Sequence, residues 1–158
     1  MLLLDTHIYL WYLVDSPRIT REISEQISEA DVVLVSAASI WEAAIKIGLG
    51  KLDAKVSDLV KGIEASGFSE LPVSAEDASM VAGLPPIHKD PFDRLLVAQA
   101  LAGPFRLLTA DSTVARYSDV VQLVTSYQFL RGWGRWARPR SFGMRICEHC
   151  TRPDKGFP

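Results

Sequence analysis

Four acidic residues stand apart because each sits where a short apolar run ends or a helix should begin: Asp5 in Leu-Leu-Leu-Asp-Thr-His, Glu42 in Ser-Ile-Trp-Glu-Ala-Ala, Asp93 in His-Lys-Asp-Pro-Phe-Asp-Arg and Asp111 in Leu-Leu-Thr-Ala-Asp-Ser. A carboxylate at the end of a buried strand loses hydration, and several carboxylates in one cleft repel one another unless a cation neutralises them. The chemistry this residue set offers is that of a divalent-metal site. Each residue also has a plainer use. Glu42 suits an exposed helix face, Asp93 can interact with a helix dipole for roughly 0.3 to 1 kcal/mol, and Asp111 can cap a helix. Asp5 has fewer such uses, because Thr6 is as good a cap and an ionised group does not belong in a core. Asp90 is accounted for as an N-cap ahead of a proline at the first helical position, and stays outside the site.

The elements that must position these residues alternate along the chain. Leu2 to Leu4 reads as a buried strand, His7 to Val14 as a helix, and Ser16-Pro17 as a turn opening a second helix that runs through Ala30. Val32 to Val35 is a branched apolar run suited to a central parallel strand, and Ser36 can cap a helix reaching Ile47, stopped by Gly48 and Gly50. That puts Glu42 in the second turn. A helix from Ser57 to Ala65, a strand near Glu70 to Val73, and a capping box from Ser74 and Asp77 follow. After Pro85-Pro86 a helix runs from Asp90 to Ala102, then a strand over Arg106 to Thr109, a short helix over Asp111 to Tyr117 and a last strand over Val120 to Val124. The alternation predicts an α/β fold, a three-layer α/β/α sandwich with a mainly parallel sheet. Ligands of such sheets bind beyond the carboxyl ends of the strands, so one pocket can receive all four acids.

Composition bounds the rest. A chain of 158 residues with 48% hydrophobic content suits one soluble core. The apolar start is interrupted by Asp5 and His7, lacks a basic leading stretch, and reads as a core strand rather than a signal segment. No stretch has the roughly 18 unbroken apolar residues of a membrane helix, so a soluble, cytoplasmic protein with no membrane partner is expected. Residues 1–130 carry 10 Lys and Arg against 17 Asp and Glu, a net of −7, whereas 131–158 carry 7 against 2, a net of +5. An acidic body binds nucleic acid poorly unless metal ions, local basic residues or the tail assist it.

The chain resembles the PIN-domain ribonucleases, and among them the VapC-like toxins of type II toxin-antitoxin pairs. The resemblance rests on Leu-Asp-Thr-His-Ile-Tyr-Leu-Trp at 4–11, Ser-Ile-Trp-Glu-Ala-Ala-Ile-Lys at 39–46 with Gly50-Lys51-Leu52, His-Lys-Asp-Pro-Phe-Asp-Arg-Leu-Leu-Val-Ala-Gln-Ala at 88–100 and Leu-Leu-Thr-Ala-Asp at 107–111, in the family's order over about residues 1–125. It implies a PIN-like nuclease domain at 1–130 and a metal-dependent endoribonuclease whose Asp5, Glu42, Asp93 and Asp111 bind Mg²⁺ or Mn²⁺. It also implies an RNA substrate, a homodimer and a cognate antitoxin, with promoter DNA bound only through the antitoxin complex. Such an ion keeps several waters and can present one to a phosphodiester, so no side-chain nucleophile is needed. A catalytically weak binding protein, whose acidic pocket receives a partner's arginine or lysine, is the alternative. A phosphoacceptor or phosphatase domain also sets an aspartate after its first strand, but the second nearby acid and the phosphate-binding signatures are missing here.

Secondary candidates surround the acids. Thr6, Ser39 and Thr109 can hydrogen-bond the carboxylates or a phosphate, or serve as caps and turn residues. Lys46 and Arg94 can meet RNA phosphate or a partner, with a solvated surface position as the plainer reading. His7 and His88 lie inside the motifs although an oxygen-ligand metal site does not need them, and Trp11 and Trp41 read as core or dimer-interface residues. The extension 131–158 interleaves arginine and tryptophan through Arg131, Trp133, Arg135, Trp136, Arg138 and Arg140, which can bind phosphate and stack on single-stranded bases, or can simply be disordered. Cys147, His149 and Cys150 supply at most part of a zinc site.

Overall fold

A computed structural model describes residues 1–124; the extension with its Arg/Trp run and Cys147 and Cys150 lies outside the described residues. The elements are β1 (Leu2–Leu4), α1 (Thr6–Leu13), α2 (Arg21–Glu29), β2 (Val33–Ser36), α3 (Ala37–Gly48), α4 (Val56–Ala65), β3 (Ser69–Leu71), α5 (Ala75–Met80), α6 (Pro91–Ala102), β4 (Arg106–Thr109) and β5 (Val121–Leu123), with 3₁₀ turns at Val81–Gly83 and Val114–Arg116. The five strands form one sheet in the order β3-β2-β1-β4-β5, with every pairing parallel. This is the three-layer α/β sandwich that the alternation of elements predicts.

The sheet is covered on both faces, which explains why the inner strands β1 and β2 are buried and almost wholly apolar, whereas the edge strands β3 and β5 carry Ser69, Glu70 and Gln122. Successive strand residues point to opposite faces. Leu2, Leu4, Val33, Val35 and Leu108 accordingly pack with Ile8, Tyr9 and Trp11 of α1, Ile23 of α2, and Leu59 and Ile63 of α4. Leu3, Leu34, Leu107 and Val121 meet Leu96, Val97 and Ala100 of α6 on the other side. Register couples β1 to both neighbours, Leu3 standing beside Leu34 and Leu107. Strand order changes direction at β1, so the carboxyl ends of β1 and β4 flank a topological switch point, where clefts open in doubly covered sheets.

Local signals account for most element boundaries. Ser74 and Asp77 form the reciprocal capping box of α5, and Asp90 caps α6 through the Phe92 amide at 2.9 Å with Pro91 at the first helical position. Three expectations need correction. The second helix starts at Arg21, not after Ser16-Pro17, because Thr20 supplies the cap at Ile23 N while the Ser16 hydroxyl instead accepts from Arg18 N in a preceding turn. The segment from Asp111 to Tyr117 closes only a 3₁₀ turn. Asp5, not Thr6, caps α1: β1 runs straight into the helix, Thr6 is already its first residue, and Asp5 alone keeps the extended backbone a cap requires.

Candidate functional site

Asp5 sits at the junction of β1 and α1 with its backbone amide donating to Leu108 O of β4 at 3.0 Å. One carboxylate oxygen accepts from His7 N at 3.3 Å, and the other accepts from the Thr109 hydroxyl at 2.6 Å. Thr109 in turn accepts from the Asp111 amide at 3.0 Å, so one buried hydroxyl ties the ends of β1 and β4 together. Asp111 Oδ1 accepts from Thr113 N at 2.6 Å, which makes it a turn-capping residue as well as a member of the cluster. Its Oδ2 faces His88 Nε2 at 3.7 Å. The other ring nitrogen of His88 lies 3.3 Å from Asp93 Oδ2 and accepts from Asp90 N at 3.1 Å. In the neutral ring that amide bond assigns the proton to Nε2, on the side of Asp111.

Glu42 approaches from α3, buried, with Oε1 paired to Lys46 Nζ at 2.6 Å one turn further along the helix. Its Oε2 is buried and has no hydrogen-bond partner among the described residues, and neither have the hydroxyls of Thr6 and Ser39. Lys46 Nζ also stands 3.5 Å from His7 Nε2, linking α3 to α1, and His7 Nδ1 is 3.7 Å from Asp5 Oδ1. A buried oxygen without a donor is costly, so Glu42 Oε2 has the capacity to accept a cation.

Electrostatics bind the four acids into one group. Burial, followed by repulsion from Asp5, Asp90, Glu42 and Asp111, pushes the Asp93 carboxyl up to about 9. Burial also opposes ionisation of Asp5, but hydrogen bonding and charge from His7, together with the Thr109 hydroxyl, outweigh it and hold Asp5 below the ordinary carboxylate value. Asp5, Glu42, Asp93 and Asp111 are thus brought together, and Asp90, a cap by its hydrogen bond, adds its charge to the same field. Donor atoms of His88, Asp93 and Asp111 all lie within 4.8 Å of one another, close enough to share an ion. That group includes neither Asp5 nor Glu42; its two carboxylates suit a hard divalent cation, and the unpartnered Glu42 oxygen is a further acceptor nearby in the same electrostatic field.

The secondary candidates divide. Thr109 joins the carboxylates directly, whereas Arg94 turns away and donates to the carbonyls of Val81, Leu84 and Pro85 and to the Tyr117 hydroxyl. Arg94 is therefore a strut for the segment before α6. Trp11 is core, while Trp41 is 60% exposed and meets Phe92 edge-on at 5.0 Å. Lys46 and His88 are more intimately part of the cluster than their sequence positions indicated. The i, i+4 spacing of Glu42 and Lys46 was a readable signal for the first; no local signal announced the second. A separate cleft of about 350 Å³, lined by Leu71, Glu76, Asp77, Met80, Gln99 and Phe105, contains none of the four acids.

Comparison with known proteins bears on the family and the fold. The family model described as PIN domain matches residues 2–120. The chain is 28% identical over 116 residues to Ribonuclease VapC22 of Mycobacterium tuberculosis (strain ATCC 25618 / H37Rv), a match covering 69% of this chain and 85% of that protein. Its fold is similar to that in a toxin-antitoxin complex from Klebsiella pneumoniae, with a TM-score of 0.56 and 19% identity over 80% of this chain and 98% of that one. It is also similar to VapBC2 from Rickettsia felis bound to a DNA fragment from their promoter, with a TM-score of 0.56 and 17% identity over 77% and 96% of the two chains.

Proposed function

The chain belongs to the PIN domain family, and we propose that it is a metal-dependent endoribonuclease, the toxin of a toxin-antitoxin pair held inactive by a cognate antitoxin. The observation that carries this reading is that Asp5, Glu42 and Asp111 stand close enough to Asp93 to repel its charge, the Asp93 carboxyl being pushed up by its own burial and then by these acids. Such a group is poorly compensated by the protein alone and well compensated by Mg²⁺, with Mn²⁺ as a substitute. The similarity to Ribonuclease VapC22 supports RNA as the substrate. The fold's likeness to chains in two toxin-antitoxin complexes is consistent with an antitoxin partner.

In this reading Asp5 and Asp93 would hold the principal ion, and Glu42 and Asp111 would contribute through a second ion, a bound water or orientation of the nucleophile. When bound, the metal supplies charge neutralisation and acidifies a water. Water adds to phosphorus, the bond to one ribose oxygen breaks, and the products are a phosphate monoester and a free hydroxyl. His7 first, with help from Thr109, favours the ionised form of Asp5, and the Thr109 hydroxyl also orients it for this task. The same carboxylates suit inhibition by an arginine or lysine of the antitoxin. The working unit is a cytoplasmic homodimer that meets promoter DNA only through the antitoxin.

The test is cleavage of a mixed cellular RNA pool by antitoxin-free protein in Mg²⁺, Mn²⁺ or EDTA, beside folded Asp5→Asn and Asp93→Asn variants. Metal-dependent cleavage that falls about 100-fold or more in both variants is expected. A folded wild type that leaves the pool intact with either metal would shift the reading to a binding protein whose pocket only receives a partner's cation.

A further inference from the structure

The acidic centre leaves one requirement of an RNA enzyme unmet: something positive must face the phosphodiester besides the metal. The motifs carry four cations: Lys51 and Lys89 are exposed, and Arg94 is spent on three backbone carbonyls and the Tyr117 hydroxyl. Lys46 is placed differently. Its side chain is only 16% exposed, and its ammonium lies inside the cluster, 2.6 Å from Glu42 Oε1 and 3.5 Å from His7 Nε2. A largely buried Lys–Glu pair is a poor device for stability, since desolvation of both ions offsets most of their attraction. Its position calls for a functional account.

Glu42 provides that account through its two oxygens. Oε1 keeps Lys46, whereas Oε2 is buried and unpartnered among the described residues, free to accept a cation without displacing the ammonium. A cation on Oε2 and the Lys46 ammonium would then share one carboxylate and flank the same space. We propose that Lys46 is a substrate-contacting residue, its ammonium donating to a non-bridging oxygen of the scissile phosphodiester, with the other oxygen of Glu42 left to hold a metal ion when one is bound. The proposal rests on the nuclease reading above. Lysine is suited to the role as a compact point charge on a flexible stem, able to turn from Glu42 toward phosphate without moving α3. Negative charge grows on the non-bridging oxygens as water adds to phosphorus, so the contact strengthens as the reaction proceeds.

The experiment compares wild type, Lys46→Met and Lys46→Arg, each checked for folding by circular dichroism. Mn²⁺ affinity is measured by EPR titration, and RNA cleavage under single-turnover conditions with protein in excess. Lys46→Met, which keeps the apolar stem, should bind Mn²⁺ within about threefold of wild type and lose about 10²- to 10³-fold in the cleavage step, the range for losing one preorganised donor to developing charge. Lys46→Arg should recover about tenfold or more of that loss, because a cation is restored. Should Lys46→Met fail to fold, Lys46→Gln takes its place in the comparison. Cleavage by the methionine variant within about threefold of wild type would overturn the proposal and leave the nuclease reading standing. Loss of Mn²⁺ affinity in step with cleavage would also overturn it, assigning Lys46 to the upkeep of Glu42 instead. A wild type that binds Mn²⁺ but cuts no RNA would remove both.

Discussion

Asp93 is the residue on which the site's energetics turn. Its carboxyl keeps a proton up to about pH 9 because of burial and of repulsion from Asp5, Asp90, Glu42 and Asp111, whereas in the unfolded chain it ionises near 3.8. In the metal-free protein the folded state therefore binds more protons than the unfolded state between those two values. Its contribution to stability is complete below pH 4 and declines as pH rises toward 9. A divalent ion reverses the balance by displacing the proton, so metal affinity should rise by up to about tenfold per pH unit until Asp93 ionises unaided. Calorimetric titration of Mn²⁺ between pH 6 and 9, in buffers of different ionisation enthalpy, should show this rise together with proton release. Asp93→Asn should abolish the proton release and flatten the pH dependence of metal-free stability. Affinity independent of pH across that range in the wild type would mean that Asp93 does not ligate the ion.

At the scale of elements, the scaffold holds the site by locking α1 against α4. The Tyr9 hydroxyl, buried on α1, donates to the Leu59 carbonyl of α4, and burial pushes the phenol's ionisation well above its ordinary value. Gly62 makes room for this contact, since a Cβ there would lie 2.8 Å from Leu13 Cδ2 and 3.0 Å from the Tyr9 hydroxyl oxygen. Tyr9→Phe removes the bond and little else, so it should cost about 0.5 to 1.5 kcal/mol in urea denaturation and leave metal binding unchanged. A much larger loss would show that the hydroxyl organises more than this pair. The long-range contact was invisible in the sequence, in contrast to features encoded within a few residues. The apolar runs of β1, β2 and β4, the Ser74–Asp77 box and the Asp90-Pro91 start of α6 were all legible, because pattern and capping act locally. Of the site, the four acids were legible as strand-end and helix-start carboxylates. The hydroxyl bridge from Thr109 to Asp5 depends on parallel pairing of β1 with β4, and the position of His88 between Asp93 and Asp111 on how the start of α6 meets the turn after β4, neither of which a short window of sequence contains.

For the whole molecule, charge is divided between an acidic body and a basic end. Residues 1–130 carry a net −7 and residues 131–158 a net +5. No helix among the described residues is long and apolar enough to cross a membrane. A polyanionic substrate approaching a body of net negative charge is repelled at distances within the Debye length, about 8 Å at physiological ionic strength. The described chain ends at Val124, whose amide donates to Thr109 O at 2.8 Å, on the same residue that orients Asp5. Arg131 follows seven residues after that point in the sequence, and Arg135, Arg138 and Arg140 come after it. If they neutralise RNA phosphates, truncation after residue 130 should weaken RNA binding and make it less sensitive to salt. Each lost phosphate contact to a single strand removes about 0.7 from the log-log salt slope, so loss of Arg131, Arg135, Arg138 and Arg140 together should remove up to about 3. Mn²⁺ affinity should survive the truncation, because the carboxylates and their partners all lie before residue 124. An unchanged slope in the truncated protein would mean that the metal and the body's own cations supply all the attraction RNA receives.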